Sequence, residues 1–478
     1  MIAPARLAAY DVLRAVNTGR ADLPTALARV RPRLGDERDR ALAGEIVTGT
    51  LRWQGAYDAV IAAFAKRPPA KLDPEVLDIL RMTAFQLLHL DRVPASAAVN
   101  DAVNLARKAG KQSAAGLVNA VLRRISRERA HLPLPPRPSP ETADAGVNPR
   151  ATGVAAPVPR RFSAASSSRA EALAYLSTTL SHPEWLAAKW LDRHGFEAAE
   201  AWALFDNEPA ALTLRANTLR ISRDALAGRL AALGVETEPA RFAAQGLAVR
   251  KGNPLLTPLV GEGLFFVQDE SSQLVAELTA AAPGERILDA CASPGGKTIA
   301  MAAAMDNRGL LVATDVRGRR VDLLRRTVET ASASCVRVVQ ADVSGVLPFR
   351  TGFDCVLLDA PCSGLGTLRR DPDIRWRRSP SDLVRLADVQ AAMLGRAGDV
   401  VADGGRLVYA TCSSEPDENE AVVGRFLEDH RHFVSAPERI PAELAPFVTA
   451  DGYFRTFPFR DKLEPFFAAM LVKTKDLR

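Results

Sequence analysis

The chain has 478 residues, too many for one hydrophobic core, so two or three domains are expected. Hydrophobic residues make up 47% and charged residues 25%, an ordinary globular balance that excludes a wholly disordered chain. No apolar run approaches membrane-spanning length, and the formal net charge of +6 leans mildly toward a polyanionic partner.

Residues 3–129 read as helices only. Leu7, Tyr10, Leu13 and Val16 recur at helical spacing, with Gly19 as a stop, so the chain opens on an amphipathic helix rather than a secretory segment. Asp73-Pro74 predicts a capped start for a helix running to Leu90. A helix near 94–109 ends at Gly110. The next closes on Arg123, Arg124, Arg127 and Arg129, a cluster that reads as a solvated helix end favoured by the dipole rather than a phosphate patch.

From 131 to 169, prolines alternate with Ala, Gly, Ser and Thr, and a flexible linker is expected. Residues 170–282 predict a small α+β module: helices at 183–193 (Ser181 cap) and 222–233 (Ser222 cap), and strands at 211–216 and 264–268. Over 283–478 strand and helix signals alternate, the pattern of a mostly parallel sheet. Its strands are expected at 286–288, 310–314, 336–339, 355–358 and 406–410, with an antiparallel pair at 454–457 and 466–472 closing one edge.

Polar residues follow each parallel strand: Asp289, Asp315, Asp342, Asp359 and Cys412. Ligands of open α/β sheets collect at that edge. The run Ile287-Leu-Asp-Ala-Cys-Ala-Ser-Pro-Gly-Gly-Lys-Thr298 misses the Walker A and G-x-G-x-x-G spacings, yet its two glycines allow close backbone approach to a ligand. Asp315 suits the ribose hydroxyls of a nucleotide-like cofactor, and Asp342 an adenine amino group.

The cysteines are 291, 335, 355, 362 and 412. Their spacing gives no zinc pattern, and their odd number fits a reducing cytoplasm better than a disulfide framework. Cys335 and Cys355 read as small core residues. Cys362 and Cys412 each sit just past a strand among Pro, Ser, Gly and Thr, and no histidine lies in the sheet to serve a Cys–His hydrolase.

Together Asp359-Ala-Pro-Cys362-Ser-Gly, Thr411-Cys412-Ser and Leu288–Thr298 resemble the RNA (cytosine-C5) methyltransferases that use S-adenosylmethionine. The stretch Gly364–Trp376 is similar to the bacterial 16S ribosomal RNA branch (the Sun, Fmu or RsmB type). The resemblance implies an all-α NusB-like RNA-binding domain at 1–130, a small α+β RNA-binding module, and a Rossmann-like methyltransferase domain with an antiparallel edge. It implies Cys412 as the nucleophile adding to cytosine C6, Cys362 as the cysteine assisting release, and Asp359 as a partner for the base edge. It assigns the S-adenosyl-L-methionine site to Cys291, Ala292, Ser293, Pro294, Gly295, Gly296, Lys297, Asp315, Asp342 and Asp359. The site is expected to lower the nucleophile's pKa. Arg369, Arg370, Arg375, Arg377 and Arg378 surround Trp376 and are expected to contact RNA. One departure stands near the C-terminus, where Leu463-Glu-Pro-Phe-Phe467 replaces the family's Asp-Gly-Phe-Phe. A cytoplasmic monomer acting on 16S rRNA without metal or membrane is expected. The rivals are the same chemistry on tRNA and a non-catalytic RNA-binding assembly factor.

Overall fold

The computed structural model describes residues 2–139, 165–350 and 352–474. Two compact units divide the chain: Met1–Pro209 with Leu368–Arg377, and Ala210–Thr367 with Arg378–Arg478.

The first unit is helical. Its helices are α1 (Pro4–Asn17), α2 (Leu23–Val30), α3 (Glu37–Arg52), α4 (Gln54–Ala65), α5 (Pro74–His89), α6 (Ala95–Lys108) and α7 (Ala115–Arg127), and α5 is buried on every face from Val76 to Leu87. Leu13, Ile46, Leu80, Leu105 and Leu122 meet in one core. Buried ion pairs fasten α1 to its neighbours: Arg6 Nη1 to Asp101 at 2.7 Å and Arg14 Nη1 to Asp78 at 2.7 Å. The Asp73 side chain makes no cap bond to α5; its carboxylate lies 3.2 Å from Lys111 Nζ.

Ordering reaches into the expected linker. Leu132 and Leu134 pack on the helical core, Thr179 Oγ1 donates to the Pro135 carbonyl at 2.6 Å, and Arg137 grips Glu200 with two bonds of 2.6 and 2.7 Å. Residues 131–139 are therefore held, because two leucines and one arginine supply anchors that the proline count obscures. The expected linker's centre, 140–164, lies outside the described residues.

Helices Ala165–Ala174, Glu184–His194 and Phe196–Asn207 belong to this unit, so the module expected at 170–282 is divided at Pro209. Trp190 and Trp202 stack at 5.0 Å between the last two. Ser181 is not the cap of Glu184–His194. It adopts a left-handed φ of 59° and its Oγ accepts from Gly55 N at 2.8 Å.

Leu368–Arg377 also belongs here, although in sequence it follows the Cys362 loop. Arg375 is fully buried. Its guanidinium donates to the carbonyls of Arg52 (3.1 Å), Ser181 (3.0 Å) and Asp206 (3.2 Å) and to Asn207 Oδ1 (2.9 Å). Trp376 Nε1 donates to the Leu51 carbonyl at 2.7 Å, with its ring against Gly55, where any added Cβ would fall 2.9 Å from Trp376.

The second unit holds two sheets. β1 (Thr213–Ala216), β2 (Glu236–Pro239), β3 (Gly246–Lys251) and β4 (Phe265–Val267) form an antiparallel sheet of order β2-β3-β1-β4. The Ser222 cap forms as expected, accepting from Ala225 N. The larger sheet contains β5 (Arg286–Asp289), β6 (Leu310–Asp315), β7 (Val336–Gln340), β8 (Phe353–Asp359), β9 (Val401–Thr411), β10 (Phe433–Ser435), β11 (Phe454–Arg455) and β12 (Phe467–Lys473). Its order is β10-β12-β9-β8-β5-β6-β7, with β11 beside β12. Strands β5 to β9 pair in parallel and β12 runs antiparallel to β9. Cys335 and Cys355 lie in its core, as their apolar neighbours imply. The strand order reverses at β5, whose neighbours are β6 and β8, and the crevice outside that reversal is where such sheets bind ligands.

Arg375→Ala would strand four buried acceptors, so a loss of about 3 kcal/mol or more is expected. A urea midpoint unchanged from wild type would contradict it.

Candidate active site at the carboxyl edge of the parallel sheet

Parallel pairing of β8 with β9 places Asp359 opposite Ala410. The loops that follow carry Cys362 and Cys412 to the same edge, and their sulfurs stand 3.2 Å apart. Backbone bonds tie the loops together: Gly366 N donates to the Cys412 carbonyl at 2.8 Å. A Cβ on Gly366 would fall 2.2 Å from the Pro465 carbonyl oxygen and 2.7 Å from that of Cys412, so only glycine permits this approach.

From the neighbouring turn, Lys297 Nζ pairs with Asp359 Oδ2 at 2.7 Å. Burial alone would lower the Lys297 pKa, but the Asp359 charge and hydrogen bond outweigh it and hold the ammonium above its usual value. Cys412 shifts the other way from the sequence expectation. The Cys362 hydrogen bond, burial and the Asp359 charge push its thiol well above the ordinary value, and Lys297 offsets this only in part. Without a further cation Cys412 is a thiol, because its nearest partner favours the protonated form.

The glycine turn starts directly after β5. Ala292 N donates to the Thr314 carbonyl at 2.8 Å and Gly295 N to the Ala292 carbonyl at 2.7 Å. Gly295 precedes helix Gly296–Ala304 with φ of 110°, a conformation that requires glycine. Cys291 is half-buried, and burial leads the causes that raise its thiol pKa. Asp289 is fully buried, with Oδ2 accepting from Thr298 Oγ1 at 2.7 Å. Burial pushes its carboxyl up to about 7, against the Thr298 bond and with help from the Asp359 charge. Its Oδ1 is buried with no protein partner. An open buried acceptor beside a glycine turn suits a ligand that brings a donor, such as an ammonium or a hydroxyl.

Asp315 ends β6 and accepts from Arg317 N at 3.2 Å, with Arg320 Nη1 3.7 Å away. Asp342 is exposed, and its Oδ1 accepts from the Ser344 N–H (2.9 Å) and hydroxyl (2.6 Å), which lower its pKa. The structure thus joins Lys297, Asp359, Cys362 and Cys412 directly, with Asp289 and Asp315 on the same strand ends.

The expected RNA contacts need correction. Arg375 has no surface left for RNA, since four backbone and side-chain oxygens occupy its guanidinium. The indole N–H of Trp376 is likewise occupied. Arg369 lies over the Phe205 ring at 4.3 Å and donates to the Pro209 carbonyl at 2.9 Å. Arg370 is half-buried, Arg377 pairs with Asp373 at 3.1 Å, and Arg378 donates to the Ser363 carbonyl at 2.8 Å. An aromatic among arginines here marks a packed segment.

Sequence reasoning missed a buried polar group behind the thiols. Glu418, Ser363, Ser413, Gln390, Asn419 and Thr411 are all buried and mutually bonded. The signal was present as a repeated dipeptide, Cys362-Ser363 and Cys412-Ser413. Arg215, nearly fully buried on β1, was missed as well; it donates to the Gly296 carbonyl at 2.8 Å and to Gln268 Oε1 at 2.8 Å.

Because the raised pKa of Cys412 traces first to its partner thiol, its alkylation by iodoacetamide in cofactor-free protein should climb about tenfold per pH unit past pH 9. Cys362→Ala removes that cause, so the curve should level off at lower pH. A plateau below pH 8.5 in the unaltered protein would contradict this.

Family models match three parts of the chain: the NusB family over residues 3–127, an RsmF/B-like methyltransferase ferredoxin-like domain over 182–255, and the 16S rRNA methyltransferase RsmB/F over 276–472. The probable ribosomal RNA small subunit methyltransferase B of Bacillus subtilis (strain 168) is 33% identical over 442 residues, covering 91% of each chain. Its namesake in Synechocystis (strain PCC 6803) is 33% identical, covering 98% of this chain and 99% of the relative. Among solved structures, a methyltransferase homologue protein from Pyrococcus horikoshii aligns with 98% of its length on 63% of this chain, at 26% identity and TM-score 0.53. The protein PH0851 shares the fold over 99% of both chains, at TM-score 0.76 and 24% identity. With an RsmB/F methyltransferase model over the larger sheet, a NusB model over α1–α7, and relatives alike over nearly the whole length, the chain belongs to the ribosomal RNA small subunit methyltransferase B family.

Proposed function

We propose that this protein transfers a methyl group from S-adenosyl-L-methionine to C5 of a cytosine in 16S ribosomal RNA, through a transient bond between Cys412 and C6 of the base. The observation that carries the reading is the 3.2 Å approach of two strand-end sulfurs beside the Lys297–Asp359 pair. Cytosine C5 is a weak nucleophile, and a thiolate added at C6 supplies the electron pair that C5 needs. Cys412 Sγ gives up its thiol proton to solvent and forms that bond. Asp359 hydrogen-bonds the base edge through the oxygen that Lys297 leaves free. After transfer, Cys362 as its thiolate takes the C5 proton, the C5–H electrons close the C5–C6 double bond, and the C6–S electrons leave on Cys412.

Bound S-adenosyl-L-methionine supplies an electrophilic methyl on a cationic sulfur. The turn Cys291–Lys297 holds it, with Asp315 for its ribose hydroxyls and Asp342 for the adenine amino group. The open Asp289 oxygen supports a donor-bearing ligand in this position.

The target base must leave its stack to reach the half-buried thiols, so a single-stranded or looped segment is the substrate. An RNA-tracking surface lies in the helical unit. A groove of about 770 Å³ between α6 and α7 is lined by Arg107, Arg123 and Arg127 with Ser96, Asn100 and Asn119. Among the described residues no carboxylate pairs with these three arginines; Arg107 and Arg123 donate instead to the amide oxygens of Asn104 and Asn119. Arg124, in contrast, pairs with Glu128 at 2.9 Å and covers the Phe64 ring. The groove favours phosphate contact over a merely solvated helix end.

Cys412→Ala should abolish methyl transfer, and Cys362→Ala should accumulate protein–RNA adduct that survives denaturing electrophoresis. The assay offers 16S rRNA and tRNA transcripts and maps the product by bisulfite sequencing. Unaltered turnover in either variant refutes the corresponding role. Replacing Arg107, Arg123 and Arg127 by Gln together should flatten the salt dependence of RNA affinity by roughly 0.7 for each phosphate no longer neutralised, with cofactor binding unchanged. An unchanged slope removes the groove from the RNA path.

A further inference from the structure

Each thiol is followed by a serine, and both serines bond to one carboxylate. Glu418 is fully buried. Its Oε2 accepts from Ser363 Oγ and from Ser413 Oγ, both at 2.5 Å. Its Oε1 accepts from Ser363 N at 2.8 Å and from Gln390 Nε2 at 2.9 Å. Four donors thus engage two carboxylate oxygens, with no lysine or arginine among them. The surrounding bonds fix Glu418 itself: Tyr409 OH donates to its carbonyl at 2.6 Å, and Gln390 reaches the Pro361 carbonyl at 3.1 Å. Next to it Asn419 accepts from Thr411 Oγ1 at 2.6 Å and donates to the Ser413 carbonyl at 3.0 Å.

Hydrophobic packing would have been sufficient to bury a loop here. A buried carboxylate is costly unless every lone pair is met, so it stays only where its partners are held to one geometry. The partners in this case are the residues directly after Cys362 and Cys412.

We propose that Glu418 is the positioning residue of the thiol pair: by bridging Ser363 and Ser413 it sets the separation of the Cys362 and Cys412 sulfurs and thereby couples attachment of the base to its release. The coupling to release rests on the function proposed above; the setting of the separation does not. Glu418 touches neither sulfur and acts through the two loops.

Two readouts on the full-length protein separate these statements. In the first, diamide oxidises the purified protein: the two thiols give up two protons and two electrons, diamide takes them up as the hydrazine, and an S–S bond forms. Peptide mapping follows the Cys362–Cys412 disulfide. Glu418→Ala should slow its formation about tenfold or more, since small misplacements of reacting atoms have large kinetic effects. Glu418→Gln keeps an acceptor oxygen and should restore most of the rate. If Glu418→Ala does not fold, Ser413→Ala, which removes one bridge, should slow oxidation in its place. Equal oxidation rates in folded Glu418→Ala or Ser413→Ala and wild type overturn the proposal.

In the second readout, the fraction of protein trapped on RNA is compared with turnover. Glu418→Ala should raise that fraction, as Cys362→Ala does, while KM for S-adenosyl-L-methionine stays unchanged. Turnover that falls with no rise in adduct refutes the coupling. Wild-type protein that never forms an adduct refutes the proposed reaction instead, and the diamide result still decides whether Glu418 sets the pair.

Discussion

The parallel pairing of β8 with β9 is the constraint from which the site follows. Parallel neighbours end at the same edge, so residues 50 positions apart in sequence arrive side by side without any contact selecting them in advance. Placing β5 on the other flank of β8 brings the glycine turn to that edge as well, where the strand order reverses. The antiparallel β12 then covers the outer side of β9, and Phe466, just before it, sets its ring 5.6 Å from Lys297 Nζ. Fold and candidate site are therefore one arrangement, with Asp359, Cys362, Cys412 and the glycine turn all at or just past strand ends.

Electrostatics at this edge are set by what the protein alone provides. One ammonium stands among the carboxylates of Asp289 and Asp359 and two adjacent thiols, and burial works against every additional negative charge. Such a site holds the Cys412 sulfur as a protonated reserve. Burial supplies the same restraint at Cys355, pushed up to about 12 in the sheet core, but no such reserve, because its surroundings are the apolar side chains of that core.

Much of this was legible in the sequence. The parallel strands β5 to β9 announce themselves by apolar runs ending in polar residues, and each was placed to within a few residues except for the start of β9. The first five residues of β9, Val401-Ala-Asp-Gly-Gly, contain an aspartate and two glycines and do not read as strand. β2, β3 and β10 escaped notice, the first and last for a related reason. Glu236-Thr-Glu-Pro239 is a polar edge strand with no buried face, and β10 is three residues long. The site residues Cys362, Cys412, Asp359 and Lys297 were legible because strand-end chemistry is local. Arg375 and Trp376 were misread because composition reports neither direction nor burial: a guanidinium beside an indole looks the same in sequence whether it faces solvent or four carbonyl oxygens. Glu418 was illegible for a further reason. Ser363 and Gln390 reach it only through the folded sheet, and a carboxylate just after Ser-Glu-Pro-Asp has the appearance of ordinary surface.

The segment Leu368–Arg377 interleaves the two units along the chain. Its residues belong by sequence to the methyltransferase half and by packing to the helical half. A cut at the apparent boundary would leave a bare decapeptide whose central cation has lost its cage of carbonyls. The stretch of chain just beyond Cys362 is thus also a structural member of the helical unit.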